Sequence, residues 1–334
     1  MKAAFKVARE RLELREVPTP AIGPGDCLVR IGANAICASD RWWGEEGGPE
    51  ELVRGHEIAG TVVEVGAEVE RWRPGDRVGI YIVVGCGRCG LCGLGLDNQC
   101  PARRGLVGYA KELGGGLAEY IAVAAGQLLP VPERVGTVEA SLLTDTLGTP
   151  MRALRRSGLR AGDAAVVWGL GPLGLVAVQG ARLLGARSVL AVDPIPRRAA
   201  LARALGADNV IDPTTTDPVA AVRAATGGPG ADVVLNTVAA PGAAQQAYDA
   251  VRLDGTLQLV TGSPTVNSHA EKRVNGTFYF GREEYGPNVE LVTSDRLRLL
   301  PTVTHTFPLE DVQEAYRVRF KEPHEAIKVV VTME

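Results

Sequence analysis

The chain has few aromatic residues, few histidines and no run of like charge. Phe, Trp and Tyr make up 5% of its 334 residues, four residues are histidine, and the net charge is -3. This near-balanced charge gives no reason to expect nucleic acid or an anionic membrane as a partner. No apolar stretch approaches the roughly 20 residues that span a bilayer, and the charged N-terminal segment is not typical of a signal or transit peptide. We therefore expect a cytoplasmic protein that binds a small molecule.

Cysteine is also scarce, and it is unevenly distributed. Four of the six cysteines follow a C-x2-C-x2-C-x7-C spacing: they are Cys86, Cys89, Cys92 and Cys100. Four thiolates complete the tetrahedral shell of a structural Zn²⁺ and leave no position open for a substrate. The alternatives are disulfides and an iron–sulfur cluster. Disulfides between such close neighbours would be strained. The bacterial ferredoxin pattern closes with C-x3-C-P, and the longer last gap in this chain fits it poorly. The spacing therefore predicts a structural zinc site, and the chemistry must be sought elsewhere in the chain.

Two hydrophobic patterns divide the chain. Up to about residue 130, short β-branched runs broken by Gly and Pro predict an antiparallel, barrel-like lobe. From Ala164, apolar strands alternate with Ala- and Leu-rich helices, which predicts about six strands of a parallel sheet, the last at 276–280. Short mixed elements return after about residue 282. We expect an α/β protein with a β-rich domain, 1–145 and 282–334, and an inserted doubly wound parallel-sheet domain, 146–281.

A glycine-rich turn follows the first predicted strand of the parallel sheet. The segment GLGPLG matches G-x-G-x-x-G between the strand at 164–168 and a predicted helix. Glycine permits a tight turn and a close approach to a pyrophosphate at the helix N-terminus. The alternative is a turn that binds another nucleotide, or none. The candidate cofactor-binding residues here are Gly169, Leu170, Gly171, Pro172, Leu173 and Gly174.

A carboxylate follows this turn at the distance expected for ribose binding. Asp193 lies 19 residues after Gly174, at the end of the second predicted strand. It can hold the ribose hydroxyls and repel a 2′-phosphate, so NAD is favoured over NADP. Arg197 and Arg198 lie close by and could weaken that preference, and we include Arg198 among the cofactor-binding candidates.

Cys37 and His56 are further candidate zinc ligands. Taken alone, a histidine or a single cysteine is more typical of a structural or core residue. The nearby carboxylates Asp40 and Glu57 weaken that interpretation, because a ligating imidazole usually has a carboxylate partner. The remaining cysteine, Cys27, lies in an alternating strand and is expected in the core.

Together these motifs resemble the zinc-dependent medium-chain alcohol dehydrogenases. The segment GHEIAGTVVEVGAEV, the four-cysteine loop and GLGPLG carry the resemblance, which extends over essentially the whole chain. It implies a GroES-like catalytic domain, a Rossmann NAD-binding domain, two Zn²⁺ ions per chain, and a homodimer or homotetramer. The implied ligands of the catalytic zinc are Cys37, His56 and Asp145, with Glu57 as the alternative third ligand.

The resemblance also implies roles for neighbouring residues. The candidate catalytic residues are Ser39, which passes the substrate proton toward the nicotinamide ribose, Asp40, which orients His56, and Glu57. Lys328 resembles a basic position that balances these acidic groups, and we place it with the cofactor-binding residues.

Two tryptophans follow the first zinc ligand. Relatives often carry a histidine five residues after that cysteine, where this chain has Trp42, so we expect the proton to leave through water or the ribose alone. Trp42 and Trp43 are equally consistent with a substrate pocket and with ordinary packing.

The implied activity is hydride transfer between NAD and an alcohol, either a secondary alcohol, a polyol or an amino alcohol. One alternative is an NADPH-dependent ketone or aldehyde reductase. Another is a zinc-stabilised NAD-binding redox sensor without catalysis. A further alternative is the zinc-free quinone reductases of the same superfamily. These usually lack both the four-cysteine loop and the Gly-His-Glu segment at 55–57, which this chain has.

Overall fold

The computed structural model describes residues 1–40 and 50–333, which form two compact units. The first unit comprises Met1–Asp145, Gly281–Thr293 and Val303–Glu334, and the second comprises Thr146–Phe280 and Ser294–Thr302. The sequence-based assignment of Trp42 and Trp43 falls outside the described residues. Among the helices of the described residues, none is long and apolar enough to cross a membrane.

Short strands predominate up to residue 130, and strands and helices alternate from Ala164 to residue 259. In chain order the strands are β1 Lys2–Ala8, β2 Arg11–Glu16, β3 Asp26–Ala35, β4 Glu57–Val65, β5 Arg77–Ile80, β6 Val83–Val84, β7 Gly105–Leu106, β8 Tyr120–Ala124, β9 Leu128–Pro130, β10 Ala164–Trp168, β11 Ser188–Val192, β12 Asn209–Ile211, β13 Ala231–Asn236, β14 Val251–Leu259, β15 Arg273–Gly276, β16 Val303–Pro308 and β17 Lys328–Thr332. The helices are α1 Gly90–Gly93, α2 Thr137–Leu142, α3 Gly148–Arg156, α4 Pro172–Leu183, α5 Pro196–Ala204, α6 Pro218–Ala225, α7 Ala243–Ala250, α8 Tyr285–Thr293 and α9 Val312–Lys321.

The first unit is built on a mostly antiparallel sheet of seven strands. Its order is β16-β17-β3-β4-β5-β9, and β8 also pairs with β3. Among the described strands of this sheet, β16 and β17 form the only parallel pair. Cys27 in β3 is fully buried, as expected, and Val329 and Val331 in β17 pack with Leu309 and Tyr316 in one apolar cluster. The predicted β-rich lobe is confirmed.

The second unit contains a six-stranded parallel sheet. Its order is β12-β11-β10-β13-β14-β15, which is the strand order of a doubly wound dinucleotide-binding fold. Strand β10 is buried along its whole length, as is typical of a parallel strand covered on both faces. Helices α4, α5 and α6 each have proline in the first turn, where its missing N–H costs no hydrogen bond. The predicted α/β fold class is therefore confirmed.

The sixth strand lies earlier than the sequence predicts. The prediction placed it at 276–280, but β15 ends at Gly276 and pairs in parallel with Thr256–Leu259. Tyr279 has a φ of 47°, which an extended strand cannot contain. Phe280 is buried instead against α3, where a Cβ added to Gly148 would lie 2.1 Å from its ring. Aromatic burial against a helix, rather than strand pairing, explains this hydrophobic run.

Candidate metal centres and dinucleotide site

The four-cysteine loop brings four thiols together in the first unit. The sulfur atom of Cys89 lies 3.6 Å from that of Cys92 and 3.8 Å from that of Cys100. The sulfur atoms of Cys86 and Cys92 are 4.0 Å apart. A tetrahedral zinc with Zn–S bonds of about 2.3 Å places its sulfurs roughly 3.8 Å apart. All four cysteines are free of disulfides. The donor set therefore fits the predicted structural zinc.

Electrostatics in this loop also favour a bound cation. The backbone amides of Arg88 and Cys89 lower the pKa of the Cys86 thiol to about 6. Burial, together with the neighbouring sulfurs, raises the pKa of Cys92 to about 12. Four thiolates at these distances would repel each other, and a divalent cation removes that repulsion and allows all four sulfurs to ionise.

An ion pair between a buried aspartate and a partly exposed arginine, absent from the sequence-based prediction, anchors the loop. Asp97 is 3% exposed, and its Oδ1 lies 3.0 Å from Nη2 of Arg282. The backbone N–H of Arg282 donates to the carbonyl of Gly95 at 2.7 Å, and its guanidinium lies over the Tyr81 ring at 5.3 Å. The sequence shows Asp97 within the cysteine loop, but no motif near it predicts that its partner is Arg282, far along the chain.

A second group of candidate ligands lies in the same unit. Cys37, His56, Glu57 and Asp145 each offer one ligand atom, and these atoms all lie within 4.8 Å of one another. Oδ2 of Asp145 lies 3.8 Å from Sγ of Cys37 and 3.7 Å from Nε2 of His56. A soft thiolate, an imidazole and carboxylates are the ligands of catalytic zinc sites, so this set also fits the ion.

Strand pairing explains why these residues meet. Cys37 lies just beyond the end of β3 and His56 just before β4, and the two strands pair with Ala35 opposite Glu57. Helix α2 then leads to Asp145. A Cβ added to Gly32 would lie 2.6 Å from Cγ2 of Thr137, so glycine permits the close approach of α2 to β3.

Asp40 lies beside the imidazole of His56. Its Oδ1 is 3.4 Å from Nδ1 of His56, and its Oδ2 accepts from the backbone N–H of Cys37 at 2.9 Å. Burial alone would raise the pKa of Asp40, but attraction to His56, these hydrogen bonds and the charge of Lys328 hold it below its usual value. An ionised Asp40 leaves Nε2 of His56 directed toward the other candidate ligands.

Glu57 and Lys328 form a buried ion pair beside this group. Lys328 Nζ lies 2.5 Å from Glu57 Oε1, and both side chains are almost wholly buried. Burial raises the pKa of Glu57, and the ammonium group of Lys328 opposes that rise. Lys328 is thus the cation paired with Glu57, and its assignment to the cofactor stays a prediction.

Ser39 is hydrogen-bonded to a tyrosine that the sequence analysis did not identify. Its Oγ lies 2.6 Å from the hydroxyl of Tyr109, whose ring centroid is 5.1 Å from that of His56. The segment around Tyr109 is rich in glycine but has no recognisable motif, so no signal marked this residue.

The glycine-rich turn has the form that a pyrophosphate requires. Gly169 has a φ of 90°, and a Cβ on Gly174 would lie 1.9 Å from the carbonyl oxygen of Gly169. A Cβ on Gly171 would meet nothing within 4 Å, which leaves space at the start of α4. Pro172 and Leu173 form the first turn of that helix, whose N–H groups favour an anion.

Asp193 is held firmly by backbone N–H groups. Its Oδ2 accepts from Leu170 at 2.8 Å and its Oδ1 from Ile195 at 2.9 Å. Nη1 of Arg198 lies 3.8 Å from Oδ2, and burial lowers the pKa of this guanidinium. Arg197, by contrast, is exposed. Asp193 therefore joins the glycine-rich turn to the end of β11, where a ribose is expected.

Two family models match the chain. A model described as "Zinc-binding dehydrogenase" matches residues 172–294, and one described as "Alcohol dehydrogenase GroES-like domain" matches residues 23–133. Together they cover the four-cysteine loop, the Cys37–His56 segment and the end of the glycine-rich turn from Pro172 onward.

Known proteins resemble the chain over nearly its full length. It is 34% identical to an L-threonine 3-dehydrogenase of Symbiobacterium thermophilum, over 90% of this chain and 89% of the relative. It is 29% identical to a sorbitol dehydrogenase of Bacillus subtilis (strain 168), over 99% and 97% of the two chains. The solved structure of an alcohol dehydrogenase from Thermus sp. ATN1 matches with a TM-score of 0.91, 30% identity and 99% coverage of both chains. The chain belongs to the zinc-dependent medium-chain alcohol dehydrogenase family.

Proposed function

We propose that this protein is a zinc-dependent dehydrogenase that oxidises a secondary alcohol, a polyol or an amino alcohol with NAD. The observation that carries the proposal is the buried group of Cys37, His56, Glu57 and Asp145, which is separate from the four-cysteine loop. A redox sensor without catalysis would have no need of this second group of ligands. Segments 1–145 and 282–334 would supply the metal chemistry, and 146–281 would bind the cofactor.

Each residue has a defined part in the proposed reaction. Zinc, when bound, supplies a Lewis acid for the substrate oxygen, and NAD supplies the hydride acceptor. Cys37 and His56, with Asp145 or Glu57 as third ligand, would hold the ion. Asp40 fixes the orientation of the His56 ring.

The proton of the substrate hydroxyl would pass to Oγ of Ser39, while the serine would release its own hydroxyl proton toward the nicotinamide ribose. Ser39 can do this because a hydroxyl both accepts and donates hydrogen bonds. The carboxylate of Asp193 would hold the ribose hydroxyls of NAD.

A specific observation keeps an NADPH-dependent carbonyl reductase as a second candidate. Arg198 lies 3.8 Å from Asp193, where a guanidinium can bind a 2′-phosphate. Both carboxylate oxygens of Asp193 accept hydrogen bonds from backbone N–H groups, which hold the carboxylate in one position. A carboxylate at this position repels a 2′-phosphate and so favours NAD. Comparing KM for NAD and NADP in steady-state assays separates the two candidates.

Two parts of the proposal rest on family membership. We propose that the protein acts in the cytoplasm on small alcohols and that it is a homodimer or homotetramer. Sedimentation equilibrium of the purified protein distinguishes these assemblies from a monomer.

The decisive experiment combines metal content with turnover. Zinc per chain is measured by inductively coupled plasma mass spectrometry, and NAD reduction is followed on a panel of secondary alcohols, polyols and amino alcohols. We expect two zincs in the wild type, and one zinc with no activity in Cys37→Ser. Cys27→Ala, a buried cysteine outside both groups, should keep both ions and its activity. A single zinc that Cys37→Ser does not change, with no turnover after zinc is added, would overturn the proposal.

A further inference from the structure

Tyr109 is placed beside the candidate ligands by a glycine contact. Gly108 has a φ of 81°, and a Cβ at this position would lie 2.5 Å from the carbonyl oxygen of Gly55 and 3.2 Å from Cβ of His56. The Gly108 N–H donates to the carbonyl of Gly114 at 2.7 Å, which closes the turn. Only glycine allows this approach of the two backbones, so the Tyr109 side chain begins directly next to His56.

The Tyr109 ring is restrained on more than one side. Its plane is tilted 38° from that of His56 at a centroid distance of 5.1 Å, and the Arg54 guanidinium carbon lies 5.4 Å from its centroid. Arg54 is itself held by Glu50, with Nη2 donating to Oε2 at 3.1 Å. A ring fixed in this way has little rotational freedom, so its hydroxyl is held at one place.

The Tyr109 hydroxyl lies next to the hydroxyl of Ser39. The two oxygens are 2.6 Å apart, at the short end of the range for an O–H···O hydrogen bond. A serine hydroxyl rotates freely unless a partner fixes it, whereas a phenol keeps its proton near neutral pH and can donate. When Tyr109 donates to one lone pair of Ser39, the other lone pair remains for the substrate hydroxyl, and the serine proton is directed away from both.

We propose that Tyr109 is a positioning residue, which donates to Oγ of Ser39 and holds that hydroxyl in the rotamer that receives the substrate proton. This inference rests on the proposed alcohol dehydrogenase function. It assigns a role to a residue that lies outside the sequence motifs of the site.

The test is Tyr109→Phe, which keeps the ring and its contacts with His56 and Arg54 and removes only the hydroxyl. We expect kcat to fall about tenfold while KM changes less than about twofold, because one hydrogen bond that positions the acceptor is lost. Tyr120→Phe, a half-buried tyrosine in β8, is the matched control and should leave kcat unchanged. The zinc content of both variants should equal that of the wild type.

A double-mutant cycle shows whether Tyr109 acts through Ser39. In a Ser39→Ala background, the loss caused by Tyr109→Phe should disappear. If Tyr109→Phe has no effect on kcat, or if it has the same effect with and without Ser39, the inference is overturned.

A crystal structure of Tyr109→Phe gives a readout that does not depend on turnover. We expect Oγ of Ser39 to occupy more than one rotamer in the variant and a single one in the wild type. An unchanged single rotamer in the variant would contradict the inference even if the wild type proved inactive on every alcohol. Wild-type inactivity by itself would count against the proposed function only, so the two failures can be told apart.

Discussion

Replacing Lys328 with methionine tests the buried ion pair beside the candidate catalytic metal centre. Lys328 and Glu57 have exposures of 1% and 0%, and their charged atoms are 2.5 Å apart. Methionine preserves much of the lysine stem but removes the charge, which leaves the Glu57 carboxylate buried without its cation. Removing one partner of a buried pair typically costs about 3–5 kcal/mol.

The loss should appear as a lower melting temperature that depends on pH. For units of 150–250 residues, each kcal/mol shifts Tm by about 2–4 °C, so we expect a drop of roughly 6–20 °C. Burial raises the pKa of Glu57 above its usual 4.5, and without Lys328 this pKa rises further. A carboxyl with a raised folded-state pKa binds a proton that the unfolded chain has released, so stability falls as pH rises through that window. The Lys328→Met loss is therefore larger at pH 8 than at pH 5.

Differential scanning calorimetry of the zinc-loaded protein at both pH values measures this effect. Lys2→Met is the matched control, because Lys2 and Glu310 form a pair of similar length, 2.6 Å, on the surface. Its Tm should hardly change, since exposed pairs contribute little. The double variant of Lys328→Met with Glu57→Gln should be more stable than the sum of the single losses predicts. A Lys328→Met drop below about 2 °C at pH 8, or one of equal size at pH 5, would refute the reasoning.

Three further predictions concern other parts of the chain. Gly108→Ala forces a methyl group to within 2.5 Å of a backbone carbonyl, so zinc content should fall from two ions to one while the four-cysteine site keeps its metal. Asp193→Asn keeps an acceptor for the N–H of Leu170 but loses the negative charge, so the ratio of KM for NADP to KM for NAD should fall by about tenfold in steady-state assays. Burial would raise the pKa of Asp232, but hydrogen bonds from Ala164 and Arg252 hold it low. The stability that Asp232 contributes should therefore disappear as pH falls through its folded-state pKa, which lies below 3.8. In urea titrations, the free energy of unfolding of Asp232→Asn should lack this loss at low pH.

Much of the second unit could be predicted because each of its elements has a local signal. The strand at Ala164–Trp168 is a short apolar run, and the helix after it begins at Pro172 beside a glycine-rich turn. The predicted position of the sixth strand was wrong because the segment 276–280 looks as much like a strand as the true one at Arg273–Gly276. Its burial depends on a contact between Phe280 and Gly148, which local periodicity cannot reveal.

The candidate site was predicted unevenly for a related reason. Spacing alone identified the four cysteines, whereas Asp145 entered only through the family resemblance. Tyr109 and Arg282 were missed because each acts through a contact with a distant segment, at Ser39 and at Asp97. A tyrosine or an arginine in a loop has many possible partners, and only the folded chain selects one.

The two metal centres differ in how far they depend on the fold. The four cysteines lie between positions 86 and 100, so closing that loop around an ion costs little chain entropy. The ligands of the other centre come from the ends of β3 and β4 and from the segment after α2, and the lysine paired with Glu57 comes from β17. That centre therefore exists only when strands from both ends of the chain have paired. Spacing in the sequence can reveal the first kind of centre, whereas the second, on which the proposed chemistry depends, is a property of the assembled sheet.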